Sequence, residues 1–196
     1  MKQTQTDWDA AYRRRETPWE KGKPHPALLD FLAENGALAG EICVPGCGSG
    51  HDVRALSTPQ NHVLGIDLST RAIANANSGP RIANEEYLLS DLFELPARFD
   101  HHFDWVLEHT CFCAIDPRMR TEYVATVARL LKPKGRLLAI FFINPDHDEK
   151  GPPYRVSLEE LEKFFGSHFV LEREWIPQRT HPGRERRELM RVLRAG

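Results

Sequence analysis

Stretches of this 196-residue chain carry residue types suited to holding a nucleoside. The first is VPGCGSGHD, with glycines at 46, 48 and 50. The position three past Gly48 is His51, so the G-x-G-x-x-G pattern of dinucleotide binding is broken. Glycines at Gly46 and Gly48 still let a ligand lie against the backbone, where a Cβ would take up its volume. A glycine-rich turn without a ligand is the alternative. About twenty residues on, LGID ends in Asp67, whose carboxylate can accept two hydrogen bonds from a ribose diol. An Asp there can equally cap the following helix, with Ser69 competing for that task. Further along, SDLFELP offers Asp91 to an adenine amine, and Leu92 as backbone contact and apolar wall. All fall at the carboxyl ends of successive predicted strands, the edge where open α/β sheets bind ligands.

Other residues suit the chemistry that such a ligand brings. DWDAAYRRRETPW sets Trp8 and Tyr12 four apart on a predicted helix capped by Asp7, with Trp19 just beyond. An aromatic stripe of this kind is either ordinary packing or a lid, and aromatic faces favour a desolvated cation by about 1 to 2 kcal/mol. Glu108 and His109 end a predicted strand and are the candidates for a general base. Arg120, soon after, is a candidate for drawing in an anion. A satisfied polar residue at a strand end is the other reading of His109.

The elements that must position these residues alternate between strand and helix, as in a parallel sheet with helices packed on it. Strands are predicted at 41–45, 62–67, 87–91, 103–109 and 136–142, then at 169–175 and 188–194 as a terminal hairpin. A helix is predicted from Pro24 to Gly36, and another from Pro117 until Pro133 and Gly135 stop it. A third covers 157 to 165.

The chain has room for a single domain, 1–196, with residues 1–36 as an N-terminal lid. Its 41% hydrophobic and 28% charged residues and net charge of −2 suit a globular protein and do not call for a polyanionic partner. The longest apolar run, Leu137 to Ile143, is far short of the roughly 20 residues that span a bilayer. MKQTQTDWDAAY has no apolar leader, so a cytoplasmic location without membrane contact is expected. The cysteines at 43, 47, 111 and 113 lack zinc-knuckle spacing and read as buried reduced thiols; no metal is expected.

WDAAYRRRETPWEKGKPHP, VPGCGSGHDV, LGIDLS, EHTCFCAIDPRMR, LLKPKGRLLAIFF and GPPYRVS, in this order from Trp8 to Ser157, resemble the thiopurine S-methyltransferase family, most closely its halide and thiol methyltransferase branch. The resemblance implies an α/β class I methyltransferase fold, a Rossmann-like seven-stranded sheet of order 3-2-1-4-5-7-6 with the last strand antiparallel. It also implies a monomer that uses S-adenosyl-L-methionine, releases S-adenosyl-L-homocysteine and methylates a small soft nucleophile such as a thiol, sulfide, halide or thiopurine. Carried over by motif, Trp8, Tyr12, Trp19, Gly46, Gly48, Asp67, Leu68, Asp91, Leu92 and His109 would hold the cofactor. Trp19, Phe112, Arg120 and Tyr154 would meet the acceptor. Tyr12 stands where relatives often have Trp, and Glu108-His109 where Asp followed by Tyr or Arg is usual.

Methylation of a protein or nucleic acid, or cofactor binding without activity, are the competing readings. Amine methyltransferases carry Asp-Pro-Pro-Tyr after the fourth strand. Here GPPY follows the fifth and Gly151 replaces the Asp, so DHDEKGPPYRVS argues against nucleic-acid chemistry and reads as a stiff loop over a small pocket.

Overall fold

A computed structural model describes residues 7–143 and 151–196. Of the stretch DHDEKGPPYRVS, the part before Gly151 therefore lies outside the described residues. The helices are α1 (Trp8–Arg14), α2 (Pro26–Asn35), α3 (His51–Leu56), α4 (Thr70–Ser78), α5 (Arg120–Leu130) and α6 (Leu158–Phe165). The strands are β1 (Gly40–Pro45), β2 (Asn61–Asp67), β3 (Glu85–Leu89), β4 (Phe103–His109), β5 (Leu131–Phe142), β6 (Phe169–Trp175) and β7 (Glu188–Ala195).

These strands form one sheet in the order β3-β2-β1-β4-β5-β7-β6, as expected. The first five run parallel, and β7 runs antiparallel to both β5 and β6. The apolar run of β5 shows why its sequence lacks alternation. Leu137, Ala139 and Phe141 enter a core with α5 and α6, while Leu138 and Ile140 enter a second core with α2 and α3. A central strand covered by helices on both faces must be apolar at every position.

The caps follow local chemistry. Asp7 Oδ1 accepts from the Ala10 N–H at 2.8 Å, and Ser157 with Glu160 closes a capping box on α6. Some boundaries differ from expectation. β3 stops at Leu89 instead of reaching Asp91, because Asp91 caps a short 3-10 turn over Leu92–Glu94. α5 ends at Leu130, before Pro133, because the His101 and His102 N–H groups bond the carbonyls of Arg129 and Leu130. Residues 131–135 then join β5 through a register irregularity, with Lys134 in the left-handed region at φ 66°.

Candidate active site

The chain leaves β1 at Pro45 and turns through Gly46, Gly48 and Gly50, which adopt φ of 62°, 53° and 75°. Side chains rarely adopt these values, and a Cβ on Gly48 would stand 3.2 Å from the Tyr12 hydroxyl. Asp67, at the end of the neighbouring β2, holds this turn: its Oδ2 accepts from the Gly48 N–H at 2.9 Å and its Oδ1 from the Ser69 N–H at 2.8 Å. Ser69 is the N-cap of α4, its Oγ accepting from the Ala72 N–H. The capping task thus falls to Ser69, and Asp67 stays at the strand end. Burial raises the Asp67 pKa, against the pull of the backbone N–H groups of Ser69 and Gly48. A carboxylate held in this way gains from further donors.

The N-terminal segment lies over the glycine turn. Asp9 ties α1 to α4, accepting from Ser69 Oγ at 2.5 Å and from the Arg71 N–H at 3.1 Å. Trp19 packs edge-on against Trp8 and Tyr12, and its indole N–H donates to the Tyr12 hydroxyl at 3.4 Å. Burial pushes the Tyr12 phenol up to about 12, so it stays neutral. Beneath this segment runs a cleft lined by Trp19, Gly46, Gly48, Asp52, His109 and His181, with Lys21 and Lys23 also on its wall.

The family model for thiopurine S-methyltransferase matches residues 3–187 of the chain. The chain belongs to the thiopurine S-methyltransferase family. It is 37% identical over 162 residues to the probable thiol methyltransferase 2 of Arabidopsis thaliana, covering 80% of this chain and 70% of that one. To thiocyanate methyltransferase 1 of the same plant it is 34% identical over 160 residues, 80% and 69% of the two chains. Among solved structures it matches the 1,6-didemethyltoxoflavin-N1-methyltransferase of Burkholderia thailandensis, crystallised with 1,6-didemethyltoxoflavin and S-adenosylhomocysteine. That match has a TM-score of 0.73 at 20% identity and covers 97% of this chain and 86% of that one, a likeness of fold. Family and fold together make this an S-adenosylmethionine-dependent class I methyltransferase.

The residues of the methyltransferase fit that cofactor. Gly46 and Gly48 form a turn without side chains, Asp67 is a fixed acceptor, and the Trp8–Tyr12–Trp19 cluster offers aromatic faces beside it. Leu68 is part exposed next to Asp67. Asp91 Oδ1 accepts from the Phe93 N–H at 2.9 Å, and Leu92 is buried in the core.

Of the residues expected on the acceptor side, Trp19 lines the cleft and Phe112, Arg120, Tyr154 and Glu108 fall elsewhere. Glu108 does not reach the cleft: it is fully buried and accepts from the Phe112 N–H at 2.8 Å and from the Tyr123 hydroxyl. Burial raises its pKa against the pull of those two donors. Phe112 packs in the core against Tyr123, Phe141 and Phe165. Arg120 is fully buried over the Phe112 ring, donating to Glu160 at 2.9 Å and to the Arg155 carbonyl at 2.8 Å. Tyr154 lines a separate hollow with Pro117, Arg155 and Lys163, and none of these borders the cleft of Trp19 and His109.

His109 does border the cleft, with partners that sequence reasoning missed. Its Nδ1 lies 2.6 Å from Asp52 Oδ2, and its ring packs 4.7 Å from that of His25. His25 Nε2 lies 2.8 Å from Glu188 Oε2, and His181 packs edge-on against His25. Asp52 follows GSGH directly, a visible position; His25 and Glu188 meet across 163 residues, for which the sequence has no signal. Among the described residues, His25, His109 and Glu188 also form the group close enough to hold a metal, rather than the four free cysteines.

Burial lowers the pKa of His25 despite Glu188, and lowers that of His181 to about 4, with His25 and His109 adding to the shift. Below the ordinary histidine pKa of about 6.5 the unfolded chain takes up protons that the folded one refuses, so stability falls as pH drops from there toward 4. For His181 the loss should reach about 2 kcal/mol. Thermal melts between pH 7 and 4 should show it, and His181→Gln should flatten part of the slope. A slope unchanged in the variant would remove His181 as its cause.

Proposed function

We propose that this methyltransferase transfers a methyl group to a small sulfur nucleophile, a thiol, sulfide or thiocyanate-type anion, and that halides are accepted by the same site. It acts as a monomer in the cytoplasm, without a nucleic-acid partner. The observation that carries this reading is the cleft between Trp19 and the glycine turn, with Lys21 and Lys23 on its wall. Aromatic faces suit the sulfonium, and the lysines suit an approaching anion. The names of the plant relatives, thiol and thiocyanate methyltransferases, support it.

Bound S-adenosylmethionine supplies an electrophilic methyl group on a cationic sulfur. Gly46 and Gly48 admit its methionine portion against the backbone, and Asp67 accepts from its ribose. Trp19 on the cleft wall, braced by Trp8 and Tyr12, would exclude water over the reacting centre, so an anion there loses its hydration. A thiol of pKa about 8.5 is only a few per cent ionised at neutral pH, a handicap of roughly 2 kcal/mol. Positioning contributes roughly 7 to 11 kcal/mol. Holding the two reactants in line is therefore the larger part of the work.

Nucleic-acid recognition would need free basic residues, and those of the C-terminal strands are engaged. Arg191 is buried and pairs with Glu162 and Glu174, and Arg194 pairs with Glu172. Glu172, Arg173 and Glu174 lie on the outer strand β6 and oppose edge-to-edge pairing with a second copy. Headspace analysis with methanethiol, sulfide, thiocyanate and iodide, alongside an aryl thiol and a thiopurine in solution, tests the acceptor. Methylated product is expected from a thiol and from thiocyanate. No product from any of the six would sink the reading.

A further inference from the structure

The histidine and carboxylate side chains behind the glycine turn are more than a cofactor cradle requires. Asp52 is held from both sides, its Oδ2 by His109 Nδ1 at 2.6 Å and its Oδ1 by the His25 N–H at 2.8 Å. Burial alone would raise its pKa, but His109 and the His25 N–H outweigh it and bring it below the ordinary value. An ionised Asp52 keeps the imidazole proton on Nδ1, which leaves the lone pair of His109 on Nε2. Both residues line the cleft beside Gly46, Gly48 and Trp19, and the His109 side chain keeps 16% exposure, an outlet for a proton.

We propose that His109, oriented by Asp52, is the general base that takes the proton of a thiol as its sulfur attacks the methyl group. This rests on the reading of the acceptor as a sulfur nucleophile. The S–H bond breaks and its proton passes to His109 Nε2, while a sulfur lone pair forms the new S–CH3 bond. The bond from that carbon to the donor sulfonium breaks, and its electron pair leaves on the neutral S-adenosylhomocysteine. Asp52 stabilises the imidazolium, which then gives its proton to solvent.

The groups around His109 suit this role better than metal binding. His25 Nδ1 accepts from the Ala27 N–H at 3.1 Å, so its proton sits on Nε2 and is donated to Glu188. Both of its nitrogens are spent, and it has no lone pair for an ion. His25 therefore holds Glu188 and braces Asp52 through its N–H. The other titratable groups on the cleft wall are Lys21, Lys23, Cys47, the His51–Glu20 pair at 3.0 Å and His181, whose ring stacks 6.4 Å from that of His109.

Two acceptors separate the proton from the rest of the reaction. Methanethiol must lose a proton to react, whereas thiocyanate is already an anion. At pH 7 a cysteine-like thiol of pKa about 8.5 is ionised to about one part in thirty, and methanethiol, a weaker acid, to less than that, so a base is worth about 30-fold or more there. In His109→Gln and in Asp52→Asn, the ratio of the methanethiol rate to the thiocyanate rate should fall about 30-fold or more at pH 7, whatever loss the two share. The ratio should recover toward wild type as pH rises past the thiol pKa. An unchanged ratio with both products still formed overturns the base and leaves the sulfur-acceptor reading intact. If the wild-type protein methylates none of the six acceptors, the acceptor reading falls and the base with it. Stoichiometric zinc in the purified protein, lost in His109→Gln, would overturn the base in favour of a metal centre.

Discussion

Asp67→Ala should weaken binding of S-adenosylmethionine by about 100-fold or more, close to 3 kcal/mol. Hydrogen bonds to a charged acceptor are worth about 1.5 to 3 kcal/mol each, and a ribose diol makes two. Removing the carboxylate also frees the Gly48 and Ser69 N–H groups, so the glycine turn loses the side chain that fixes its shape. Asp67→Asn should lose less: its amide keeps the volume and one acceptor oxygen but replaces the second with a donor. Isothermal titration calorimetry reads both variants. Their melting temperatures, measured alongside, show whether each remains folded, because Ser69 and not Asp67 caps α4. An unchanged dissociation constant in folded Asp67→Ala would remove Asp67 from the cofactor site.

The fold was legible because its signals are local. The unbroken apolar run of β5 and the Gly-rich turn after β1 follow from what neighbouring residues can do. The candidate cofactor half of the site inherits that legibility, since Gly46, Gly48 and Asp67 sit at strand ends that the pattern marks and whose order the family resemblance implies. The acceptor half does not. Glu108 and His109 were adjacent candidates for one role, yet successive residues of a strand point to opposite faces. The structure sends Glu108 to Tyr123 in one core and His109 to Asp52 across the sheet, so the pair was never available together. Alternation alone could have separated them. It could not have chosen between them, because that depends on His25, Asp52 and His181 arriving from three separate segments.

Arg120 shows the same limit from the other direction. In the sequence it is a cation near the acceptor, and in the structure it braces the core. Arg120→Ala should destabilise the fold by about 3 kcal/mol, because it breaks a buried charge-assisted contact and vacates a large packed volume. The losses are the bonds to Glu160 at 2.9 Å and to the Arg155 carbonyl at 2.8 Å, and the guanidinium 4.7 Å above the Phe112 ring. Arg120→Met keeps much of that volume and should cost about half as much, since the Glu160 side chain, 31% exposed, can turn to water. An anion attractor behaves differently: its loss raises KM for thiocyanate and leaves the melting temperature alone. Chemical denaturation beside KM in the two variants separates these roles. Lower stability with an unchanged KM places Arg120 in the scaffold, and unchanged stability with a raised KM returns it to the acceptor site.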